Sequence, residues 1–325
     1  MTHQRGHRPS TAAVAVALLI VYVVWGSTYL AIAVMIETMP PLLAAGVRYG
    51  SAGAIMLTAL AGIAWWRRGS QRAERPTWAH IRSAFIIGTL LLLGGNGGVV
   101  LAELLIPSGI AAVLVAMVPI WLAVFDAAVT RRRPSGLVIG GLVAGIVGVA
   151  VLLVPVEGLE GLDPLGVALV VGAGISWAAG SLYARHAPLP RSGLLGTGLE
   201  MVAGGLVLVA AGALVGEVGR TDVTAFSTAS IVAIVYLVFF GSIVAFTAYT
   251  WLLANVPVST VGTYAYVNPI VAVGLGALFL SEPITPRTLI AAAIIIGAVV
   301  AMVSGRPREA EEPGPAPEAA TLEPE

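Results

Sequence analysis

Residues 107–120 read PSGIAAVLVAMVPI, and residues 257–270 read PVSTVGTYAYVNPI. Both segments begin with proline, carry a second proline twelve residues later, and match at an offset of 150 residues. Further upstream the offset is 152, and the aligned pairs are Trp25 with Trp177, Gly46 with Gly198, Arg48 with Glu200, and Gly53 with Gly205. Self-similarity at a nearly constant spacing predicts that the chain is an internal duplication.

The composition places this duplication in a membrane. Hydrophobic residues make up 58% of the chain and charged residues 10%, against about 25% charged in an average soluble domain. The length of 325 residues accommodates roughly ten spanning helices of about 20 residues each. The apolar runs lie near residues 12–35, 42–64, 83–105, 108–129, 136–155, 165–184, 194–216, 229–254, 258–280 and 288–304.

The basic residues predict the orientation. All 17 are arginine, and 14 of them fall on the side of the N-terminus: Arg5, Arg8, Arg67, Arg68, Arg72, Arg75, Arg82, Arg131, Arg132, Arg133, Arg185, Arg191, Arg306 and Arg308. Because cytoplasmic loops carry the excess of Lys and Arg, both termini are predicted to lie in the cytoplasm of a bacterial cell, with the chain in the inner membrane.

An odd number of spans in each half inverts the second half relative to the first. The sequence therefore predicts an all-α, polytopic membrane protein with ten transmembrane helices arranged as two inverted five-helix repeats. The predicted segments are a cytoplasmic N-terminus (1–11), a first repeat (12–155), a second repeat (156–304) and a disordered cytoplasmic tail (305–325). Inverted repeats are typical of secondary transporters that bind solute near the membrane midplane.

Unusual residues fall at the depth where such a site is expected. Trp25 and Trp177 each lie about 18 Å into their helices, although tryptophan usually prefers the membrane interface. Pro119 and Pro269 lie at a similar depth, and both are predicted to break their helices because proline removes a backbone hydrogen bond. We expect a solute site lined by Trp25, Tyr29, Asn96, Trp177, Tyr264 and Asn268.

Charged residues inside apolar runs are the default functional candidates in a membrane protein. Arg48, Glu103 and Glu200 are predicted to act in gating or ion coupling. Arg48 is placed to attract an anionic group in an outer vestibule, and the alternative is that it extends to the nearest interface.

Several classes of protein are disfavoured by what the sequence lacks. It has no cysteine, and its four histidines lie outside the apolar runs, so no metal site, catalytic residue or cofactor is predicted. A channel would be expected to show rings of charged residues, and the sequence shows none. No nucleic-acid partner is expected. A membrane receptor or scaffold that transports nothing stays open as an alternative.

Motifs along residues 15–303 resemble the EamA family of the drug/metabolite transporter superfamily, in its YedA-like branch. They are VWGSTYLAI (24–32), PPLLAAGVRY (40–49), GNGGVVLAE (95–103), PSGIAA (107–112), SWAAGSLY (176–183), GLEMVAGG (198–205), FGSIVAFTAY (240–249) and YAYVNPIVAV (264–273).

The resemblance implies a fold of ten helices in two EamA repeats. It also implies export of small metabolites, amino acids or amphipathic, drug-like compounds by alternating access. The first repeat departs from the family pattern, because Thr130-Arg131-Arg132-Arg133 stands where an acidic residue is common, whereas the second repeat keeps Glu282. Glu282 is therefore expected to be structural.

Gly141, Gly145 and Gly148 are expected to pack helices within the chain, with a homodimer as the alternative.

Overall fold

The computed structural model of the chain describes residues 10–66, 74–131, 133, 136–153, 162–256, 258–261 and 263–304. The predicted tail (305–325) and most of the predicted N-terminal segment (1–11) lie outside these residues. In chain order the apolar helices are α1 (Thr11–Ile36), α2 (Pro41–Trp66), α3 (Trp78–Ala102), α4 (Ser108–Thr130), α5 (Gly136–Leu153), α6 (Pro164–Ala184), α7 (Gly193–Leu214), α8 (Thr228–Leu252), α9 (Tyr264–Phe279) and α10 (Pro286–Ser304).

Length and hydropathy separate these helices into two groups. Among the described residues, seven helices are long and apolar enough to cross a membrane, whereas α5, α9 and α10 are shorter apolar helices. Large apolar side chains cover the exterior, as Leu278 at 73% exposure and Ile146 at 56% illustrate. A surface of this kind is stable against lipid and unfavourable in water.

Polar side chains fix where several helices begin. Ser227 Oγ accepts a hydrogen bond from the Ser230 N–H (3.0 Å) at the start of α8. Asp163 Oδ1 accepts one from Leu165 (2.7 Å) at the start of α6. Such caps occupy N–H groups that have no partner within the helix, so a short polar residue before an apolar run sets the boundary.

The two midplane prolines differ in their effect on the backbone. Helix α4 is interrupted by a turn at Ala116 and Met117, and it resumes at Val118 with Pro119 in its first turn, where the missing N–H costs nothing. Pro269, by contrast, lies inside α9, which runs from Tyr264 to Phe279 without interruption. The break predicted at Pro269 is thus not seen: Pro269 cannot donate a backbone hydrogen bond, yet the helix continues past it.

Helices α2 and α7 cross at glycines with almost no space between their backbones. A Cβ added at Gly46 would lie 2.9 Å from the Gly205 carbonyl oxygen, and one added at Gly53 would lie 2.7 Å from that of Gly198. In the alignment of the two halves, Gly46 corresponds to Gly198 and Gly53 to Gly205. Each glycine therefore contacts the counterpart of the other one, as expected for two halves that cross symmetrically. Only glycine permits this approach.

Two carboxylates bind the start of a helix in the other half of the chain. The hydrogen bonds run from Leu42 N to Glu217 Oε1 (3.1 Å), Leu43 N to Glu217 Oε2 (2.8 Å), Arg191 N to Glu74 Oε1 (3.0 Å) and Ser192 N to Glu74 Oε2 (3.2 Å). Glu217 follows α7 and caps α2, whereas Glu74 follows α2 and caps α7. An anion at a helix N-terminus also interacts favourably with the helix dipole.

The turns after α4 and α9 share an uncommon conformation. Arg131 has φ of 53° and Ser281 has φ of 55°, and they are 150 residues apart, at the offset that aligns the two segments. After Ser281, Glu282 accepts hydrogen bonds from the N–H groups of Ser108 (2.7 Å) and Gly109 (3.1 Å). Glu282 therefore caps α4, which is a structural role.

Helices α5 and α10 pack against each other through small residues. A Cβ at Gly148 would lie 2.5 Å from Ile295 Cγ1, and Arg287 Nε donates to the Val151 carbonyl (2.7 Å). Gly145 faces Met117 of α4, where a Cβ would meet the Cε atom at 2.6 Å. Gly145 and Gly148 thus pack within the chain, as expected from the sequence.

Candidate functional site

A cavity lies between the two halves of the chain. It contains about 880 Å³ of space that protein atoms leave free, part of it open to the exterior. Helices α1, α2, α3, α4, α6, α8 and α9 contribute to its wall. The six residues predicted to bind solute all line it: Trp25, Tyr29, Asn96, Trp177, Tyr264 and Asn268.

Trp25 is the centre of an aromatic cluster on one wall. Its ring centroid lies 5.2 Å from Phe246, 5.0 Å from Tyr249 and 5.2 Å from Tyr264. The indole Nε1 donates to the Gly241 carbonyl at 3.3 Å. Because its N–H has a protein partner, Trp25 presents an apolar ring to the cavity without leaving a buried donor unsatisfied.

Trp177 occupies the space that a glycine leaves open. A Cβ at Gly95 would lie 2.9 Å from Trp177 Cε3, so the ring rests on the α3 backbone. The neighbouring Asn96 donates from Nδ2 to the Leu91 carbonyl at 3.4 Å. Gly95 thus allows Trp177 of α6 to pack against α3 at the cavity wall, and the Asn96 side chain bonds within α3.

Three helices adopt π-helical geometry beside the cavity. The segments are Val21–Trp25 in α1, Thr89–Gly97 in α3 and Leu237–Val244 in α8. Trp25, Asn96 and the Arg48-binding Ser242 all lie in these segments. A π-helical turn re-aims side chains and loosens backbone hydrogen bonding, and such turns are frequent at functional sites.

Asn268 places an amide in the buried part of the same wall. The residue is 6% exposed. In the amide orientation that its neighbours favour, the nitrogen donates to the carbonyls of Tyr22 (3.2 Å) and Tyr264 (3.3 Å). The Tyr22 hydroxyl in turn bonds the Thr263 hydroxyl. This network joins α1 to α9 next to Pro269.

Arg48 also lines the cavity and does not extend to an interface. It is 3% exposed, its Nε donates to Ser242 Oγ at 3.1 Å, and its Cζ lies 4.5 Å from the centroid of the Tyr49 ring. A fixed positive charge therefore stands among the aromatic and amide groups of the site.

The two acidic candidates are not among the residues that line this cavity. Both carboxylate oxygens of Glu103 are buried and have no hydrogen-bond partner among the described residues. Glu200 lines a second, smaller cavity of about 270 Å³, which shares Trp177 and Phe246 with the first. Within the described part of the chain, Arg48 and Glu200 form no ion pair, and the salt bridge present joins Arg185 to Asp126 at 3.6 Å.

Sequence reasoning missed three residues that shape the site. Phe246 and Tyr49 line the cavity, and Ser242 holds Arg48. Phe246 carries no signal, because an aromatic residue in an apolar run is ordinary. Tyr49 could have been noticed as an aromatic neighbour of an intramembrane arginine.

Comparisons with known proteins match most of the chain. A family model described as the EamA-like transporter family matches residues 12–154 and 164–304. The uncharacterized inner membrane transporter YedA of Escherichia coli (strain K12) is 38% identical over 294 residues, covering 89% of this chain and 90% of that protein. A probable amino-acid metabolite efflux pump from the same strain is 25% identical, covering 89% of this chain and 94% of that protein.

A solved structure shows the same fold at low identity. The crystal structure of a protein 19% identical to this chain superposes with a TM-score of 0.59, covering 90% of this chain and 96% of that one. The family model matches both halves separately, and transport is the activity of that family. The chain belongs to the EamA-like transporter family, and it is a multi-pass membrane transporter of small molecules, not an enzyme.

Proposed function

We propose that this protein is a secondary transporter that exports small organic metabolites by alternating access through the central cavity. The observation that carries the proposal is that six aromatic and amide residues from both halves line one space. An aromatic lining with a few polar groups suits amino-acid-like or amphipathic, drug-like solutes. The related efflux pump for amino-acid metabolites supports the same solute class and direction.

The proposed mechanism needs two inverted halves, with α5, α9 and α10 completing ten spans. Three features support this arrangement. The crossing glycines of α2 and α7 exchange partners, Arg131 and Ser281 share a left-handed turn, and the third helix of each half contains a π-helical segment. Two similar halves can exchange conformations and so open the cavity to either side.

We propose Glu103 and Glu200 for gating or ion coupling. An ionised carboxylate buried without a partner is costly, so Glu103 is suited to bind a proton or to change partner during the cycle. The charged and titratable groups that face it are Arg48, Glu282 and Tyr29. Replacing Glu103 with Gln keeps the shape of the side chain and is expected to reduce the dependence of transport on an imposed pH gradient.

Counterflow in proteoliposomes tests the proposed function. A panel of labelled amino acids and amphipathic metabolites would be offered to the intact protein and to Trp25→Ala and Asn268→Ala. We expect at least one solute to exchange and both substitutions to reduce its exchange by tenfold or more. Trp66→Ala and Asn255→Ala are matched controls, because both residues are exposed away from the cavity.

The outcomes separate transport through this cavity from the alternatives. Exchange that neither cavity substitution affects would move the solute site elsewhere. Absence of exchange for every panel member, in protein that remains folded, would favour a receptor or scaffold.

A further inference from the structure

The cavity contains a positive charge whose protein contacts use one side of the group. Arg48 is almost fully buried at 3% exposure, and Nε is occupied by Ser242 Oγ at 3.1 Å. The Tyr49 ring lies against the guanidinium plane, 4.5 Å from Cζ. These contacts fix the position of the group, and they leave its terminal nitrogens for another ligand.

The N–H groups on the two Nη atoms of Arg48 are available to bind a ligand. A guanidinium has five N–H donors, and among the described residues the Arg48 Nη atoms donate no hydrogen bond, whereas Nε donates to Ser242. No carboxylate of the described chain comes within 4.0 Å of them either, Glu103 included. Gly241 lets α8 approach this side of the guanidinium, since a Cβ there would lie only 3.3 Å from Nη2.

Glu103 faces Arg48 without forming an ion pair within 4.0 Å. The terminal nitrogens therefore have no direct carboxylate partner among the described residues, and a buried charge without a direct partner is strongly unfavourable in a low-dielectric interior. The two Nη groups form a planar fork that matches a carboxylate, which can accept two parallel hydrogen bonds. Trp25, Trp177 and Tyr264 line the same cavity and offer apolar ring surface to the remainder of a solute.

We propose that Arg48 is the anion subsite of the cavity and that the transported solute is an organic carboxylate. Its carboxylate binds the Arg48 Nη groups, and its apolar body packs against the aromatic wall. This inference rests on the proposed transport function and adds the charge of the solute. Arg48 then binds the anion inside the cavity, whereas the sequence analysis predicted a gating or ion-coupling role and attraction of an anionic group in an outer vestibule.

Equilibrium binding to the purified protein tests this subsite separately from transport. The probes are N-acetyl-L-phenylalanine and N-acetyl-L-leucine, each compared with its carboxamide, which has nearly the same shape and no charge. Isothermal titration calorimetry in detergent measures each Kd. We expect the intact protein to bind at least one acid about tenfold or more tightly than its amide, which is the range of a charged hydrogen bond.

Variants assign that preference to Arg48. Arg48→Gln is expected to remove the preference for the acid and to leave the Kd of the amide within about twofold. Arg48→Lys keeps the charge without the planar fork and should keep a reduced preference, and it replaces the Gln variant if the latter does not fold. Arg82→Gln removes an exposed arginine of α3 and should change neither affinity.

The possible results separate this inference from the proposed function. Equal affinities for acid and amide in the intact protein, or a preference that persists in Arg48→Gln, would overturn the anion subsite. Absence of binding by all four probes would overturn it as well. A charge preference in a protein that exchanges no solute in proteoliposomes would support the subsite and overturn the transport proposal.

Discussion

Gly205 shows at the scale of one residue how closely the two halves approach. A Cβ at this position would lie 2.5 Å from the Gly50 nitrogen and 2.9 Å from the Gly46 carbonyl oxygen. Both contacts are with backbone, which cannot move aside as a side chain can. The space is therefore filled to the limit that van der Waals radii allow.

Gly205→Ala is accordingly expected to destabilise the protein by about 1–3 kcal/mol, the usual cost of overpacking. The free energy of unfolding in mixed detergent micelles is the measurement. Gly50→Ala is the matched control, because a Cβ at Gly50 would have no neighbour within 4 Å. A Gly205→Ala protein as stable as the control would contradict the close crossing.

The cavity residues that could be predicted from the sequence are those whose polar groups are unfavourable in contact with lipid. Trp25, Asn96 and Asn268 stand out because an indole or amide at the midplane needs a polar partner. The position of Arg48 could not be predicted from its depth, since depth is equally compatible with a side chain that extends to the interface. Its burial depends on Ser242, which lies 194 residues away in the sequence.

At the scale of secondary-structure elements, several helices are capped by a carboxylate that lies far away in the sequence. Glu282 follows α9 and accepts both N–H groups at the start of α4. Removing it leaves those donors without a partner in a partly buried position, where each costs about 1–3 kcal/mol.

Glu282→Ala is therefore expected to lower the free energy of unfolding by at least about 1 kcal/mol. Detergent unfolding followed by tryptophan fluorescence measures the change. Glu37→Ala serves as the control, because Glu37 is exposed at the end of α1. Equal effects of the two substitutions would exclude the capping role.

Glu74 gives a prediction about pH. Hydrogen bonds from the Arg191 and Ser192 N–H groups hold the pKa of Glu74 below its usual value. The charged form is thus favoured in the folded protein, and its contribution is complete at neutral pH and lost as the pH falls through the lowered pKa.

The thermal unfolding midpoint of Glu74→Gln should accordingly lie below that of the intact protein at pH 7. The two midpoints should converge below about pH 4, the ordinary range of a glutamate. Differential scanning fluorimetry across this range is the measurement. A difference that is independent of pH would show that the Glu74 carboxylate does not make these bonds in solution.

The sequence predicts where helices lie better than how their backbones are bonded. Hydropathy averages over a window, so the apolar run predicted near residues 83–105 corresponds to α3 at Trp78–Ala102. The same average contains no information on whether an N–H bonds the fourth or the fifth preceding carbonyl. The π-helical segments were therefore missed, and Pro269 was expected to break a helix that in fact continues.

At the scale of the whole molecule, the predicted orientation of the chain in the membrane can be tested by cysteine labelling. The chain contains no cysteine, so a single introduced thiol is the sole target for a membrane-impermeant maleimide. Val223, between α7 and α8, is predicted to lie outside, and His186, after α6, inside. Both residues are exposed.

Val223→Cys in intact cells is expected to react with the reagent, whereas His186→Cys should react only after the membrane is permeabilised. The cysteine-free parent protein provides the background signal. The reverse pattern of labelling would overturn the cytoplasmic placement of the termini.

The turns that follow α4 and α9 each contain one residue with a left-handed backbone conformation, and the residues that come directly after it carry opposite charges. In the second half the next residue is Glu282, which caps a helix, and the corresponding residue of the first half is Arg132 in a run of three arginines. In the orientation predicted from the sequence, that arginine run is expected on the cytoplasmic side, where positive charge favours retention during insertion. We therefore expect Arg132→Glu to impair membrane insertion, whereas the corresponding residue of the second half, Glu282, stabilises the folded protein by capping α4.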